Sequence, residues 1–107
     1  MKNVVKKENG IPRQFLGVNF VVLSIGRDSM VTKMLYKPTD SVPFHQHPNE
    51  QSGYVISGKY KLKFNGEEFL LSEGDSYAIP ANIEHTIEIL VAGEVIDVFT
   101  PIRQDYL

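Results

Sequence analysis

From Val18 onward the chain alternates between apolar and polar positions or runs in short apolar blocks, and a turn signal breaks the pattern every few residues. A period of two is the mark of a strand, whose side chains point to opposite faces in turn. Val18–Ile25 is rich in β-branched residues and ends at a Gly26-Arg27-Asp28 turn. Met30–Tyr36 resumes as a strand and stops before Pro38. Residues 42–58 hold a further apolar run, with residues 54–56 leading into a turn at Ser57-Gly58. Lys59–Phe64 alternates strictly, with Tyr60, Leu62 and Phe64 on one face and Lys59, Lys61 and Lys63 on the other. That is a half-buried strand whose lysines form a solvated face. Asn65-Gly66 then predicts a tight hairpin, because a type I′ turn needs positive φ at both central positions. Glu67–Leu71, Ser76–Ile79, His85–Val91 and residues 94–100 follow as strands, with turns at 72–75, 80–84 and Ala92-Gly93, and Pro101 ends the last of them.

Eight or nine short strands with no helical period predict an all-β sandwich or barrel. Residues 1–17 contain Gly10, Pro12 and Gly17 and predict an arm with one short strand; residues 101–107 are a tail. A length of 107 residues fits one domain spanning 1–107. A chain of this size buries roughly 60–70% of its unfolded surface, enough for a core without staples. With 42% hydrophobic and 22% charged residues the composition is that of an ordinary globular protein rather than a disordered one.

Charge and cysteine count narrow the chemistry. A formal charge of −2 supplies no electrostatic reason for a nucleic-acid or anionic-membrane partner. The N-terminus is charged without an apolar signal-peptide core, and no apolar run is long enough to span a bilayer, so a cytoplasmic protein is expected. Without cysteine there are no disulfides and no thiolate metal sites, so any metal must be held by nitrogen and oxygen.

All three histidines fall where such a site would need them. His45 and His47, two residues apart, point the same way if both lie on a strand, and Gln51 follows four residues later. Glu50 is the other acceptor there, but a one-residue step on a strand turns the side chain to the opposite face, which favours Gln51. His85 opens a strand 38 residues after His47. A lone strand histidine is usually a packed ring; a complete inventory gathered at His-x-His and one further strand start points to a metal.

These residues resemble the two motifs of the cupin superfamily, Gly-x5-His-x-His-x3/4-Glu-x6-Gly and Gly-x5-Pro-x-Gly-x2-His-x3-Asn. Thr39, His45, His47, Gln51 and Gly58 stand at the positions of the first, and Gly74, Pro80, Asn82, His85 and Ile89 at those of the second. The resemblance covers roughly residues 30–100 and implies a double-stranded β-helix, or jelly-roll, barrel holding one divalent transition metal on His45, His47, Gln51 and His85. Thr39 and Asn82 replace glycines, and Asn tolerates the left-handed backbone better than most residues. Gln51 replaces a glutamate, so the ligands carry no charge and the ion keeps its full 2+. Such a site binds its metal less tightly and acts as a stronger Lewis acid toward an anionic ligand. Imidazole suits zinc, nickel, iron, copper and manganese alike.

The last strand holds a second anomaly. Val95-Ile96-Asp97-Val98-Phe99 is apolar on both faces around one aspartate, and an unpaired buried carboxylate either costs several kcal/mol or takes up a proton. Asp97 is then either an edge or ion-paired residue or an interior acid–base group. Arg103 in the tail is either solvated or folded back to grip a substrate carboxylate bidentately. Tyr54 and Tyr77 are expected to pack, with either able to line a pocket. The ending Asp97-Val-Phe99-Thr-Pro101-Ile-Arg103-Gln-Asp105-Tyr-Leu, with His-x-His-Pro-x-Glu-Gln upstream, resembles the small cupins of pectin and alginate breakdown, which convert unsaturated monouronates to the linear keto form. That resemblance implies catalytic roles for Asp97, Phe99 and Arg103, a small anionic sugar-derived substrate, and a homodimer paired through an edge strand. A cupin that binds or senses a sugar without turnover, and an iron-dependent dioxygenase, are the alternatives.

Overall fold

A computed structural model describes all of residues 1–107. Ten strands form: β1 (Ile11–Phe15), β2 (Val18–Ile25), β3 (Met30–Tyr36), β4 (Ser41–His45), β5 (Glu50–Val55), β6 (Lys59–Phe64), β7 (Glu67–Leu71), β8 (Ser76–Ile79), β9 (His85–Val91) and β10 (Gly93–Thr100). Single 3-10 turns at Lys7–Asn9 and Gln104–Tyr106 are the only helical pieces. The strands make a six-stranded sheet in the order β1-β2-β3-β10-β5-β8 and a four-stranded sheet in the order β4-β9-β6-β7. Every pairing is antiparallel. From β3 to β10 the chain passes repeatedly from one sheet to the other, and the two wrap one interior as a jelly roll.

Alternation in the sequence becomes alternation of burial. Along β3 and β10 every second residue is buried, and the inward set includes Met30, Met34, Val95 and Phe99. Phe20 of β2, Tyr60 and Leu62 of β6, and Ile79 of β8 meet them from the other strands. Each fully buried side chain of this kind is worth about 1.5–3 kcal/mol. Asp97 takes an inward place between Val95 and Phe99, while Ile96 and Val98 face outward and are half-buried.

Two local expectations change. The run at 42–58 is two strands rather than one, and they belong to different sheets. The break falls at residues 46–49, where Pro48 offers no ladder donor and the chain crosses between sheets. This is why there are ten strands rather than eight or nine. Tyr54 does not pack; it lies on the outer face of β5 and is 51% exposed, because the inward places there go to Gln51, Gly53 and Val55.

Both hairpin turns with positive φ follow type I′ logic. Asn65 and Gly66 have φ of 54° and 73°. Leu16 and Gly17, which join β1 to β2, have φ of 52° and 81°. A half-exposed leucine in the left-handed region carries about 1–2 kcal/mol of backbone strain that asparagine largely avoids. Leu16→Asn should therefore stabilise the protein by about 1 kcal/mol, read as a raised urea midpoint at unchanged m-value.

Candidate metal centre

The three imidazoles converge although they do not share a strand. His45 ends β4, His47 lies in the 46–49 crossing, and His85 opens β9, paired with His45 across the four-stranded sheet. Their ring centroids are 4.3 Å (His45–His85), 5.0 Å (His47–His85) and 5.7 Å (His45–His47) apart. Strand alternation thus named the right pair for a wrong reason: His47 faces its neighbour because the crossing loop turns it inward.

One rule orients all three rings. The Nδ1 of His45, His47 and His85 lies 3.0, 2.9 and 2.8 Å from the backbone carbonyls of Pro43, Asn49 and Ile83. A carbonyl only accepts, so each Nδ1 carries the proton and donates it, leaving each Nε2 as a bare lone pair. Candidate ligand nitrogens of the three histidines lie within 4.8 Å of one another. The Nε2 of His85 is buried with no hydrogen-bond partner. The Nε2 of His47 lies 3.1 Å from Gln51 Oε1, an acceptor against an acceptor. An orphaned nitrogen and two opposed lone pairs are what a shared cation resolves, so these residues fit a divalent ion. Burial also favours the neutral form of His47 and His85. It lowers the pKa of His47, with the Arg103 charge adding to the effect, and takes that of His85 down to about 4.

The supports are local. Asn82 adopts the left-handed conformation (φ 62°), and its amide donates to the His47 carbonyl at 2.8 Å, which ties the turn before β9 to the crossing. Asn49 donates from Nδ2 to the Pro101 carbonyl at 2.6 Å and fastens the crossing to the chain after β10. Gln51 is inward and buried on β5, and Glu50 is exposed, so only the amide lies on the site's side of the strand.

Asp97 and Arg103 line the same narrow cleft as His45, His85 and Gln51. Asp97 is 1% exposed, and burial pushes its pKa from 3.8 up to about 6 against the pull of hydrogen bonds from Tyr77 and Gln51 and the charge of Arg103. Arg103 is 4% exposed, so the tail arginine is not solvated. Its guanidinium lies over the rings of Tyr106, Phe15 and Phe99 at 4.0, 4.9 and 5.2 Å. Its bidentate partner is internal: Nε and Nη2 donate to the carboxylate of Asp105 at 3.2 and 2.7 Å, and Nη1 donates to the Tyr106 hydroxyl at 2.9 Å. Three of five N–H groups are thereby used, leaving one on each terminal nitrogen. Phe99 stands edge-on to His47 with centroids 5.6 Å apart.

Phe15, Tyr106 and Asp105 were missed by sequence reasoning. Phe15 carries no signal, since it sits in an arm without period. Tyr106 and Asp105 follow Arg103 closely enough that a buried arginine would have pointed to them. Tyr77 lines the cleft and donates to Asp97 Oδ1 at 2.6 Å.

A cupin domain model matches residues 32–99, more than half of the chain. The chain belongs to the cupin family. Among solved structures this cupin superposes on an RmlC-like cupin from Shewanella frigidimarina with a TM-score of 0.90, at 23% identity over 100% of this chain and 97% of that one. It superposes on KdgF from Halomonas sp. with a TM-score of 0.84, at 24% identity over 98% of each. Both likenesses describe the fold. In sequence it is 37% identical over 65 residues to the pectin degradation protein KdgF of Dickeya dadantii, covering 59% of each chain. It is 29% identical over 104 residues to the HTH-type transcriptional regulator PuuR of Escherichia coli, covering 92% of this cupin and 56% of that protein. The cupin thus spans less than two thirds of the length of these curated relatives. No helix is long and apolar enough to cross a membrane.

Two predictions follow from the electrostatics. Gln51→Glu adds a negative charge beside the ion and should tighten divalent-metal binding by about tenfold or more, measured by competition with a chelator. In the metal-free protein Asp97 holds its proton more tightly folded than unfolded, so rising pH costs stability between 3.8 and about 6 and levels off above that. Asp97→Asn escapes this cost. Relative to wild type it should gain about 2 kcal/mol on going from pH 4 to pH 8, measured by urea denaturation at both values.

Proposed function

We propose that this cupin is a metal-dependent enzyme acting on a small anionic sugar-derived molecule, and that it converts unsaturated monouronates to their linear keto form. What carries this reading is that a carboxyl, a guanidinium, an amide and two of the three clustered imidazoles line one cleft. The 37% identity to a protein named for pectin degradation supports the choice of substrate.

An unsaturated monouronate is a cyclic hemiacetal whose ring oxygen is also bonded to a carbon of a C=C bond. Ring opening removes the proton of the hemiacetal hydroxyl and breaks the bond between the anomeric carbon and the ring oxygen, leaving an aldehyde and an enolate. Delivering one proton to the far carbon of the enolate completes the ketone. The product is an isomer, so no co-reactant is consumed. Asp97 is suited to both proton movements because its pKa of about 6 lies near neutrality. Arg103 offers the substrate carboxylate its two remaining N–H groups, one on each terminal nitrogen. Phe99 packs under the guanidinium and walls the cleft. A divalent ion held by His45, His47, His85 and Gln51 would supply Lewis-acid polarisation of substrate oxygens, undiminished by any ligand charge.

Alignment with a transcriptional regulator along 92% of the chain supports a second reading, a cupin that senses a small ligand without converting it. Metal-loaded protein incubated with unsaturated galacturonate, followed by proton NMR of the ring signals, separates the two. Decay of the ring signals at least tenfold faster than in buffer, abolished by Asp97→Asn, is expected. Saturable binding with no acceleration overturns the enzymatic reading in favour of sensing.

A further inference from the structure

Asp97, Gly53 and Tyr77 form one row across the six-stranded sheet: Asp97 of β10 is opposite Gly53 of β5, and Gly53 is opposite Tyr77 of β8. Two strand spacings separate the ends of that row, about 9.6 Å. Side chains two strands apart do not ordinarily touch, because the residue between them stands in the way. Here nothing does. A Cβ built on Gly53 would fall on the Tyr77 ring, against its Cζ and hydroxyl. The phenol therefore lies flat over the middle strand in the space a side chain would fill, and its hydroxyl donates to Asp97 Oδ1 at 2.6 Å. The φ of Gly53 is not in the left-handed region, so backbone freedom does not explain this glycine; the close approach of the ring does.

We infer that Tyr77 is a positioning residue for Asp97, and that Gly53 is the gap that lets it reach. Asp97 is already fixed through its backbone, whose carbonyl accepts from Thr32 Oγ1 at 2.9 Å. Tyr77 fixes the carboxyl group itself. With Oδ1 engaged by the phenol, Oδ2 is left as the oxygen without a phenol partner. Burial beside Asp97 raises the phenol's own pKa well above 10, so it remains a donor throughout the neutral range. The amide of Gln51 helps to hold the Asp97 pKa down while its Oε1 faces His47, which sets the carboxyl close to the candidate metal ligands. Orientation of this kind acts on the chemical step, where a displacement of about 1 Å costs on the order of a hundredfold.

This inference rests on the role of Asp97 proposed above, and its test uses two readouts so that the two can fail separately. Tyr77→Phe keeps the ring over Gly53 and removes only the hydroxyl. In the zinc-loaded protein with unsaturated galacturonate it should leave metal content and KM unchanged and lower kcat about 10- to 100-fold. Gly53→Ala should lower kcat as well; if it fails to fold, Tyr77→Phe decides alone. The second readout needs no substrate. The carboxyl carbon signal of Asp97 in protein labelled with carbon-13 aspartate, at fixed pH, should move in Tyr77→Phe. A kcat and an Asp97 signal both unchanged by Tyr77→Phe overturn the inference, as does a rise in KM alone. A signal that moves in a protein with no uronate turnover supports the Tyr77–Asp97 link and overturns the uronate reading.

Discussion

Three backbone carbonyls govern the centre of this molecule. Those of Pro43, Asn49 and Ile83 each take the Nδ1 proton of a histidine, and in doing so set the tautomer and aim of every ring. Had any of the three protons sat on Nε2, that ring would aim a donor at the common point in place of a lone pair and could not ligate a cation there. The carbonyls belong to β4, to the crossing before β5 and to the approach to β9, so the site is a property of how the sheets meet. Each ring is two residues from its acceptor, which makes the constraint short-range even though the ligands are far apart in sequence.

The fold was legible because burial follows a period of two almost without exception in β3 and β10, and because Asn65-Gly66 is an unambiguous hairpin turn. The crossing at 46–49 was not legible. Local alternation is silent about which sheet a strand joins, so β4 and β5 merged into one run. The histidines could be found from their type and spacing, and Gln51 from the face it shares with Gly53 and Val55. Arg103 could be named from the resemblance, but its burial could not be read, because that depends on three aromatic rings contributed by the arm, by β10 and by the tail itself. Nor could the Tyr77–Asp97 contact, since a sequence places the two residues twenty positions apart and only the register brings them into one row.

The two charged groups of the cleft are handled in opposite ways. Arg103 keeps its charge while buried, with a carboxylate on one edge and aromatic faces around it, the arrangement in which a weakly hydrated guanidinium is least costly to desolvate. Asp97 has no ion-pair partner within reach and is met by the phenol of Tyr77 instead. A neutral-donor shell leaves the carboxyl close to the point of gaining a proton. The cleft thus combines a fixed cation with a convertible acid, which suits chemistry that moves a proton on an anion.

β10 lies in the middle of the six-stranded sheet, between β3 and β5, although it follows both by many residues. Until residues 93–103 have been synthesised, the two neighbours face a gap, Asp97 is absent, and Asn49 lacks the Pro101 carbonyl that steadies the His47 loop. A nascent chain carrying all three histidines would therefore hold them against a six-stranded sheet still open between β3 and β5. The ligands are made early, but the centre they form comes into being only with the strand that carries its acid.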